Sequence, residues 1–585
     1  MRPPKNKWPA SDEGRSVLLC AQLLREMLGE MTFESFRVYS LDTLSRLSEA
    51  LALIADVQRG RIPRDALDPV FEEMLWSFEK DPIAKKSAWP EIANLSGLVS
   101  QKAALSDIAA NIRLVTRMLA PGYKAALEVH ILSLFDEPKR KIELRHCCGF
   151  YCSHLVNAGF SKKWIEELVQ KTFFDRDMID ADRGTLAGFF RNFDEGAVDF
   201  EVLTPINSEF ANFVPPLGFD VSPYPDLNPE IKNALDLHCG SNFSHVLVST
   251  EREHDPYQAI ESVQHQLTYI RALTYLGKEG LSCSWSEWMH VTRAADPNGR
   301  VLRKPSLSFE NPSEGRMRGH RLRSLQNYLL ALTKNFDAPS TERLLSSINT
   351  AALARTSANA ENQLISLWSA VEVLLSEPAS NTPRILHYAR HLVPCICLRH
   401  ARRQFVSVYD ELLVSYKRAF NAIMRKEPRF SHHDHHTNLA AIICLKENND
   451  LRTELCELCA GNPLALQRLF KLYRDYGSPS AAVQTIRSHE SRVRWQVHRI
   501  YRARNRIVHS GLVPSYLDSL IMNLVEYYRD TIATIIHRAR KDDEKSDIDQ
   551  VVSEIGFDYA ILIRQLASVS GDMEYSDIHR LASMG

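Results

Sequence analysis

The 585-residue sequence has no long hydrophobic run and almost no net charge. No stretch approaches the roughly 18 apolar residues that a membrane helix needs, and the basic N-terminal residues are not followed by the apolar segment of a secretory signal. Its 71 basic and 72 acidic side chains give a formal net charge of −1, so any attraction to nucleic acid must come from local clusters of Lys and Arg. We expect a cytoplasmic protein with no membrane partner.

A disulfide framework and the common cofactor motifs are not indicated. The eleven cysteines are odd in number and scattered, except for Cys147, Cys148 and Cys152, the Cys395/Cys397 pair and Cys456/Cys459. The sequence has no Walker A string, no Rossmann glycine fingerprint and no G-x-S-x-G elbow. Nucleotide hydrolysis, dinucleotide redox chemistry and esterase chemistry therefore have no motif support, and we expect no cofactor.

The patterns that are present predict a mainly α-helical protein of several folding units. Apolar residues at helical spacing over 15–60 indicate amphipathic helices, whereas alternation over 198–203 and the apolar run 244–249 indicate strands. A stretch containing Pro, Gly and Arg begins at Asp296, and every periodic pattern from about 320 to 541 is helical. We predict a helical N-terminal region (1–184), a small mixed α/β middle domain (185–300), a helical domain (320–541) and a helical tail (546–585).

The segment 488–508 combines an apolar helix face with a cation. Val493, Val497, Ile500 and Ile507 have the spacing of one helix face, and Arg504 interrupts that stripe. An unpaired guanidinium buried in a bundle costs several kcal/mol, so Arg504 must meet a carboxylate, a phosphate or a water-filled cleft.

His509 follows at the predicted end of the same helix, with Gly511 as a left-handed cap. The partial negative charge of a helix C-terminus favours an imidazolium, which suits proton transfer. Residues five apart lie about 140° apart around an ideal helix, so Arg504 and His509 do not share a face. Either the last turn is distorted, or two chains combine their motifs across an interface.

These residues carry a resemblance to a known family. The segment 504–509, RNRIVH, resembles the R-x4–6-H motif of HEPN ribonucleases, including the polar residue directly after the arginine. Residues 361–376, ENQLISLWSAVEVLLS, resemble the helix of Apea-like HEPN domains that carries an aromatic residue and a glutamate. YRARNRIVHSG resembles the motif helix of those domains. The resemblance as a whole spans roughly the last 220 residues.

The resemblance implies a HEPN-type four-helix bundle that forms a homodimer and cuts RNA without a metal, with two motifs lining one cleft. Cleavage through the 2′-hydroxyl needs a proton carrier and a cation on the phosphate. His509 would serve as general base or acid, Arg504 would hold the phosphate bidentately, and Asn505 would orient either of them. We expect Glu372, one turn after Trp368, to pair with a motif arginine.

A local excess of arginine surrounds the motif. Seven arginines lie between residues 487 and 506, interleaved with aromatic side chains, and such a surface can bind phosphates and stack on unpaired bases. We predict RNA contacts from Arg499, Arg502, Arg506 and Tyr501. The alternative is a solvated basic helix face.

Two further functions stay open. A non-catalytic RNA-binding or scaffold protein would use the same basic helix, with an Arg504–Glu372 pair buried in the bundle and His509 as a plain cap. A metal-dependent hydrolase would use the loop His432–His436 and Cys456-x-x-Cys459, although this is not a standard zinc-finger spacing.

Apea-like HEPN proteins also imply a biological setting. They suggest an abortive-infection or toxin-like effector of anti-phage defence that cleaves host tRNA or phage and host transcripts after a phage-derived trigger. The N-terminal two thirds of the chain would then sense the trigger or restrain the bundle. This expectation depends on the family analogy and not on particular residues.

Overall fold

A computed structural model describes most of the chain. The described residues are 11–29, 41–175, 182–239, 243–276, 282–305, 307, 309, 319–357, 359–376, 383–431, 434–540 and 544–583. They are mainly helical, with one five-stranded antiparallel sheet between residues 198 and 303. The predicted fold class, mainly α with a small α/β middle region, is confirmed.

The chain divides into two compact units. The main unit contains residues 1–153 and 307–585, and the sheet unit contains residues 154–176 and 182–306. Helices from both ends of the sequence thus belong to the same compact unit. Each unit is described by itself below.

The N-terminal part of the main unit is a series of helices. They are α1 (Asp12–Leu28), α2 (Thr43–Gln58), α3 (Asp68–Lys80), α4 (Pro82–Ser100), α5 (Leu105–Leu119), α6 (Tyr123–Ser133) and α7 (Lys141–Asn157), whose last residues enter the sheet unit. Helices α2 to α5 enclose a hydrophobic core of their own, which includes Leu47, Met74, Ile92 and Ile112. We call residues 43–119 the N-terminal module.

The sheet unit has helices on both faces of its sheet. Its elements are α8 (Lys162–Phe173), α9 (Arg183–Phe190), β1 (Val198–Ile206), α10 (Ser208–Phe213), β2 (Asp220–Pro223), α11 (Pro229–Asp236), β3 (His245–Glu253), α12 (Pro256–Leu273), β4 (Trp288–Arg293) and β5 (Asp296–Arg303). The strand order is β2-β3-β1-β4-β5, with every neighbouring pair antiparallel. Successive side chains of a strand point to opposite faces, so Val202 joins the core under α12 whereas Leu203 packs on the other face with Leu235 of α11.

Two details of the middle region differ from the sequence prediction. The stretch beginning at Asp296, expected to be an irregular boundary segment, forms strand β5, which pairs with β4. The density of proline over 205–229 predicts a loop, but this stretch contains the short helix α10 and strand β2. Gly299 adopts φ +59°, a conformation that glycine accepts at no steric cost, and this allows a strand to pass through a sequence rich in turn-forming residues.

The C-terminal part of the main unit is entirely helical in its described residues. Its helices are α13 (Gly319–Asn335), α14 (Ala338–Thr356), α15 (Ala360–Leu374), α16 (Arg384–Leu398), α17 (His400–Met424), α18 (His435–Cys444), α19 (Asn449–Leu458), α20 (Pro463–Tyr476), α21 (Pro479–Ser510), α22 (Leu517–Ala539), α23 (Ile548–Ser568) and α24 (Tyr575–Ser583). Helices α15 and α16 both pack against α21 and α22, and we call these four helices the C-terminal bundle. Helix α23 packs against α16, α21 and α22, so the predicted tail contributes to the same core.

Helix α21 carries the predicted motif along its last two turns. Its N-terminus is capped by Ser478, whose side chain accepts a hydrogen bond from the backbone N–H of Ala481, and Pro479 occupies the first helical position. Its C-terminus is capped by Gly511 at φ +64°, with the Gly511 N–H donating to the carbonyl of Ile507. The predicted helix end is confirmed.

Among the described residues, no helix is both long and apolar enough to cross a membrane.

Candidate functional site

Arg504 lies at the edge of the C-terminal bundle core with its guanidinium partly open to solvent. Its side chain is 23% exposed, and one terminal nitrogen lies 3.4 Å from Oε2 of Glu372 on α15. The other terminal nitrogen donates to Oδ1 of Asn505 at 3.1 Å. The predicted pairing of Glu372 with a motif arginine is therefore confirmed. Because the pair is not sealed, its charged groups can still meet a ligand.

Trp368 fixes the position of Glu372. The indole N–H donates to Oε1 of Glu372 at 2.9 Å, one turn along α15, and the Trp368 side chain is fully buried. Each carboxylate oxygen of Glu372 thus has a separate partner, the indole on one side and Arg504 on the other. This arrangement orients the guanidinium through a carboxylate that cannot rotate freely.

His509 is exposed on the last turn of α21. Three large apolar side chains that are also solvent-exposed accompany it: Val508, Leu512 and Val513. A histidine in this position can meet a substrate without any rearrangement of the bundle.

Asn505 links the arginine to the histidine side of the helix. Residues four apart lie on one side of a helix, so Asn505 and His509 share a side, while the Asn505 amide oxygen also accepts from Arg504. Helix α21 continues through Ser510, so the distorted last turn that the sequence left open is not observed. Arg504 and His509 remain about 140° apart around the axis, so the helix of one chain does not present both side chains on the same face.

Arg499 is enclosed by carboxylates of the N-terminal module. The residue is 1% exposed, and its guanidinium contacts Glu49 of α2 at 2.7 Å and Glu73 of α3 at 2.5 Å. Arg46 of α2 also contacts Glu73, with its Nε 3.1 Å from Oε1. Two carboxylates inside the fold thus pair with this guanidinium, and in this arrangement Arg499 is not open to RNA.

Charge pairing sets the ionisation of these carboxylates. Burial alone would raise the pKa of Glu49, but the positive charges of Arg499 and Arg502 lower it to about 2. The pKa of Glu73 is also lowered, because Arg499 and Arg46 outweigh its burial. The cluster is therefore a fully ionised, buried network at neutral pH.

The other three predicted RNA-binding residues lie in different surroundings. Arg502 contacts Glu49 at 2.9 Å and is mostly buried, whereas Arg506 is exposed. Tyr501 is half-buried, with its ring centroid 5.5 Å from that of Trp368. Arg506 is thus solvent-exposed, Arg502 forms an ion pair with Glu49, and Tyr501 packs against Trp368.

His498 is another histidine of α21, and its environment differs from that of His509. Burial and the nearby charges of Arg502 and Arg494 lower the pKa of His498 to about 4. It is neutral at neutral pH and buried, so it is not a candidate proton donor.

The histidine-rich loop of the metal alternative lies only partly in the described residues. His432 and His433 are outside them, while the rings of His435 and His436 pack against Tyr409 at centroid distances of 5.5 and 5.1 Å. Burial raises the pKa of the Cys459 thiol to about 12. In the part of the chain that the structure describes, no three His, Cys, Asp or Glu side chains are grouped as a metal site would require.

Sequence reasoning missed Glu49 and Glu73 as partners of the arginines on α21. One signal was available: a helix with seven arginines in a chain of net charge −1 requires acidic partners elsewhere. Their identity depends on contacts between residues some 430 positions apart, such as Glu73 and Arg499, which no local pattern reveals.

No family model, curated protein or solved structure matches the chain. The resemblance to HEPN ribonucleases therefore depends on the residues of the motif and on their arrangement at the end of α21.

Proposed function

We propose that the protein is a metal-independent endoribonuclease of the HEPN type that cleaves RNA in a site shared by two chains. The observation that carries the proposal is the end of α21. An exposed His509 and a partly exposed, carboxylate-oriented Arg504 lie within two turns of each other, joined by Asn505. A cation and an imidazole are the two groups that this chemistry requires.

The reaction is a displacement at phosphorus by the neighbouring 2′-hydroxyl. The 2′-oxygen forms a bond to phosphorus, and the bond from phosphorus to the 5′-oxygen breaks. An imidazole accepts the proton of the 2′-hydroxyl and then donates it to the leaving 5′-oxygen, so a single His509 in the shared cleft supplies both proton transfers. Arg504 stabilises the charge that develops on the phosphate oxygens, and Asn505 holds it in place.

Glu372 is a positioning residue in this mechanism. Its carboxylate touches Arg504 and Trp368 and is anchored by the buried indole. When a phosphate enters, the guanidinium has donors left for it, because Glu372 and Asn505 each take one hydrogen from a terminal nitrogen that carries two.

The test is RNA cleavage by the purified full chain in EDTA, with total tRNA and one structured transcript as substrates. We expect cutting by the wild type, loss of cutting in Arg504→Ala and His509→Ala, and products that end in a 2′,3′-cyclic phosphate and a 5′-hydroxyl. Arg487→Ala is a matched control, since Arg487 is an exposed arginine on the same helix, more than four turns before Arg504. Cutting that requires added metal, or that survives both site substitutions, would refute the proposal.

The second candidate is a non-catalytic RNA-binding or scaffold protein. The observation that favours it is that Arg504, Arg502 and Arg499 all have carboxylate partners within the chain. Binding of RNA without cutting in the same assay would select this alternative.

A toxin-like role in abortive infection is the biological setting that fits an RNA-cutting effector. We expect expression of the wild type to arrest growth of the host cell and His509→Ala to relieve the arrest. Equal toxicity of the two proteins at equal expression would argue against this role.

A further inference from the structure

The N-terminal module meets the motif helix through charged side chains. Its core is separate from the core of the C-terminal bundle, and α3 packs directly against α21. The contacts include the network of Glu49, Glu73, Arg499 and Arg502, and at its edge Glu72 accepts from Arg494 at 2.5 Å and from the indole N–H of Trp495 at 3.0 Å. The interface also contains one aromatic contact, with the ring centroids of Trp76 and Trp495 5.7 Å apart. An interface built largely of charged side chains between two separately packed cores is typical of parts that can move apart.

The arginines held by the module lie on the His509 side of the helix. Seven residues make about two turns, so Arg502 lies within roughly 20° of His509 around the axis and about 10 Å before it. Arg506 lies between them, within about 60° of His509. A polynucleotide that reaches His509 and continues along α21 would therefore meet Arg506 first and then the arginines that Glu49 now holds.

We propose that the N-terminal module is an internal cover, in which Glu49 and Glu73 occupy arginines of the motif helix that RNA phosphates bind once the module is displaced. This regulation rests on the proposed function, because it concerns access of RNA to the same helix. The carboxylates and the phosphate groups compete for the same guanidinium donors.

The same charges explain why the cover stays closed without RNA. Separating the module from α21 breaks the contacts of Arg499 with both Glu49 and Glu73, so the closed arrangement is favoured when no competing anion is present. Because the pKa of Glu49 is held at about 2 by Arg499 and Arg502 against the effect of burial, mild acid does not neutralise it. Opening therefore requires a competing polyanion and not a change of pH near neutrality.

The experiment compares three glutamine substitutions in the full chain. Glu49→Gln weakens the centre of the network, and Glu72→Gln weakens its half-exposed edge, where loss of folding is not expected. Glu79→Gln is the matched control: it removes the same charge from an exposed position of α3. The probe is a 20-nucleotide oligouridylate with 2′-O-methyl groups, which can bind but cannot be cut, and the readouts are its affinity, hydrogen exchange over residues 43–80 and the rate of tRNA cleavage.

We expect Glu49→Gln to bind the probe on the order of tenfold more tightly than the wild type, Glu72→Gln to show a smaller gain, and Glu79→Gln to match the wild type. We also expect the probe to speed hydrogen exchange over residues 43–80 in the wild type, and tRNA cleavage to rise in step with affinity.

Two results would overturn the inference, and they are distinguishable. If the wild type cuts RNA but both network substitutions leave affinity and cutting rate unchanged, the N-terminal module does not cover an RNA-binding surface. The proposed function is not contradicted by that result. If neither the wild type nor the folded Glu72→Gln and Glu49→Gln variants bind or cut RNA, both proposals fail.

Discussion

Replacing Arg499 by methionine tests whether the buried network holds the N-terminal module to α21. The substitution keeps much of the side-chain volume but leaves Glu49 and Glu73 as buried carboxylates without their shared cation. Breaking a buried ion pair in this way costs about 3–5 kcal/mol of unfolding free energy. The lowered pKa of Glu49, about 2 against an ordinary 4.5, corresponds to about 3 kcal/mol of stabilisation at neutral pH, to which both Arg499 and Arg502 contribute.

The sign of the pH dependence follows from the direction of that shift. A carboxylate whose pKa is lowered by folding stabilises the protein above its unfolded pKa, and this contribution is lost as the pH falls from about 4.5 towards 2. Arg499→Met removes the shared guanidinium that lowers the pKa values of both Glu49 and Glu73, while Arg502 and Arg46 still lower them in part. The difference in stability between the wild type and the variant should therefore be largest at pH 7 and shrink as the pH falls towards 4.

The assay is urea unfolding followed by tryptophan fluorescence and circular dichroism at pH 7, 5 and 4. Trp76 and Trp495 report on this interface, because their ring centroids lie 5.7 Å apart. Arg494→Met is the matched control, since the Arg494–Glu72 pair is nearly half exposed and such a pair contributes about 1 kcal/mol or less. If Arg499→Met costs no more than the control, or if its cost does not fall with pH, the reasoning about the network is wrong.

Three further predictions concern single positions. Glu372→Gln should lower the rate of tRNA cleavage about tenfold, because Arg504 is held less firmly, and this corresponds to an activation free energy higher by about 1.4 kcal/mol. Glu361→Gln, in the first turn of the same helix, is the control and should change the rate little. Gly511→Ala and Gly122→Ala should each cost about 1 kcal/mol in urea unfolding, because both glycines have positive φ with open space around them, but only Gly511→Ala should also slow cleavage. Gly299→Ala should lower the stability of the sheet unit by about 1–3 kcal/mol, because the new methyl group would collide with the carbonyl of Val291. The measurement is hydrogen exchange over 198–303, where we expect protection to be lost.

Local patterns were sufficient for the motif helix. The apolar spacing around Arg504 and the turn-forming residues from Ser510 to Pro514 determine where α21 buries a face and where it ends, and both features are encoded within a few residues. The pairing of Arg504 with Glu372 was predictable for a similar reason. A cation in an apolar stripe requires an anion, and Glu372 borders the apolar face of a helix in the same bundle.

The fate of the other arginines was not predictable from local sequence. Arg499 and Arg506 belong to the same basic run, but one is sealed against Glu49 and Glu73 and the other is exposed. The difference comes from the docking of α2 and α3, which is a contact between distant parts of the sequence. Strand β5 was missed because a glycine with positive φ and a proline are tolerated at the edge of a sheet, where strand-forming residues are not required.

A mixing experiment tests the shared cleavage site most directly. Arg504→Ala and His509→Ala, each inactive alone, are combined in equal amounts under conditions in which subunits exchange, and tRNA cleavage in EDTA is compared with that of the wild type. If two chains combine their motifs, the mixture should regain a substantial part of the wild-type rate, because a mixed pair still brings one intact arginine and one intact histidine to the cleft. A mixture as inactive as its components, beside a wild type that cuts, would contradict the shared site.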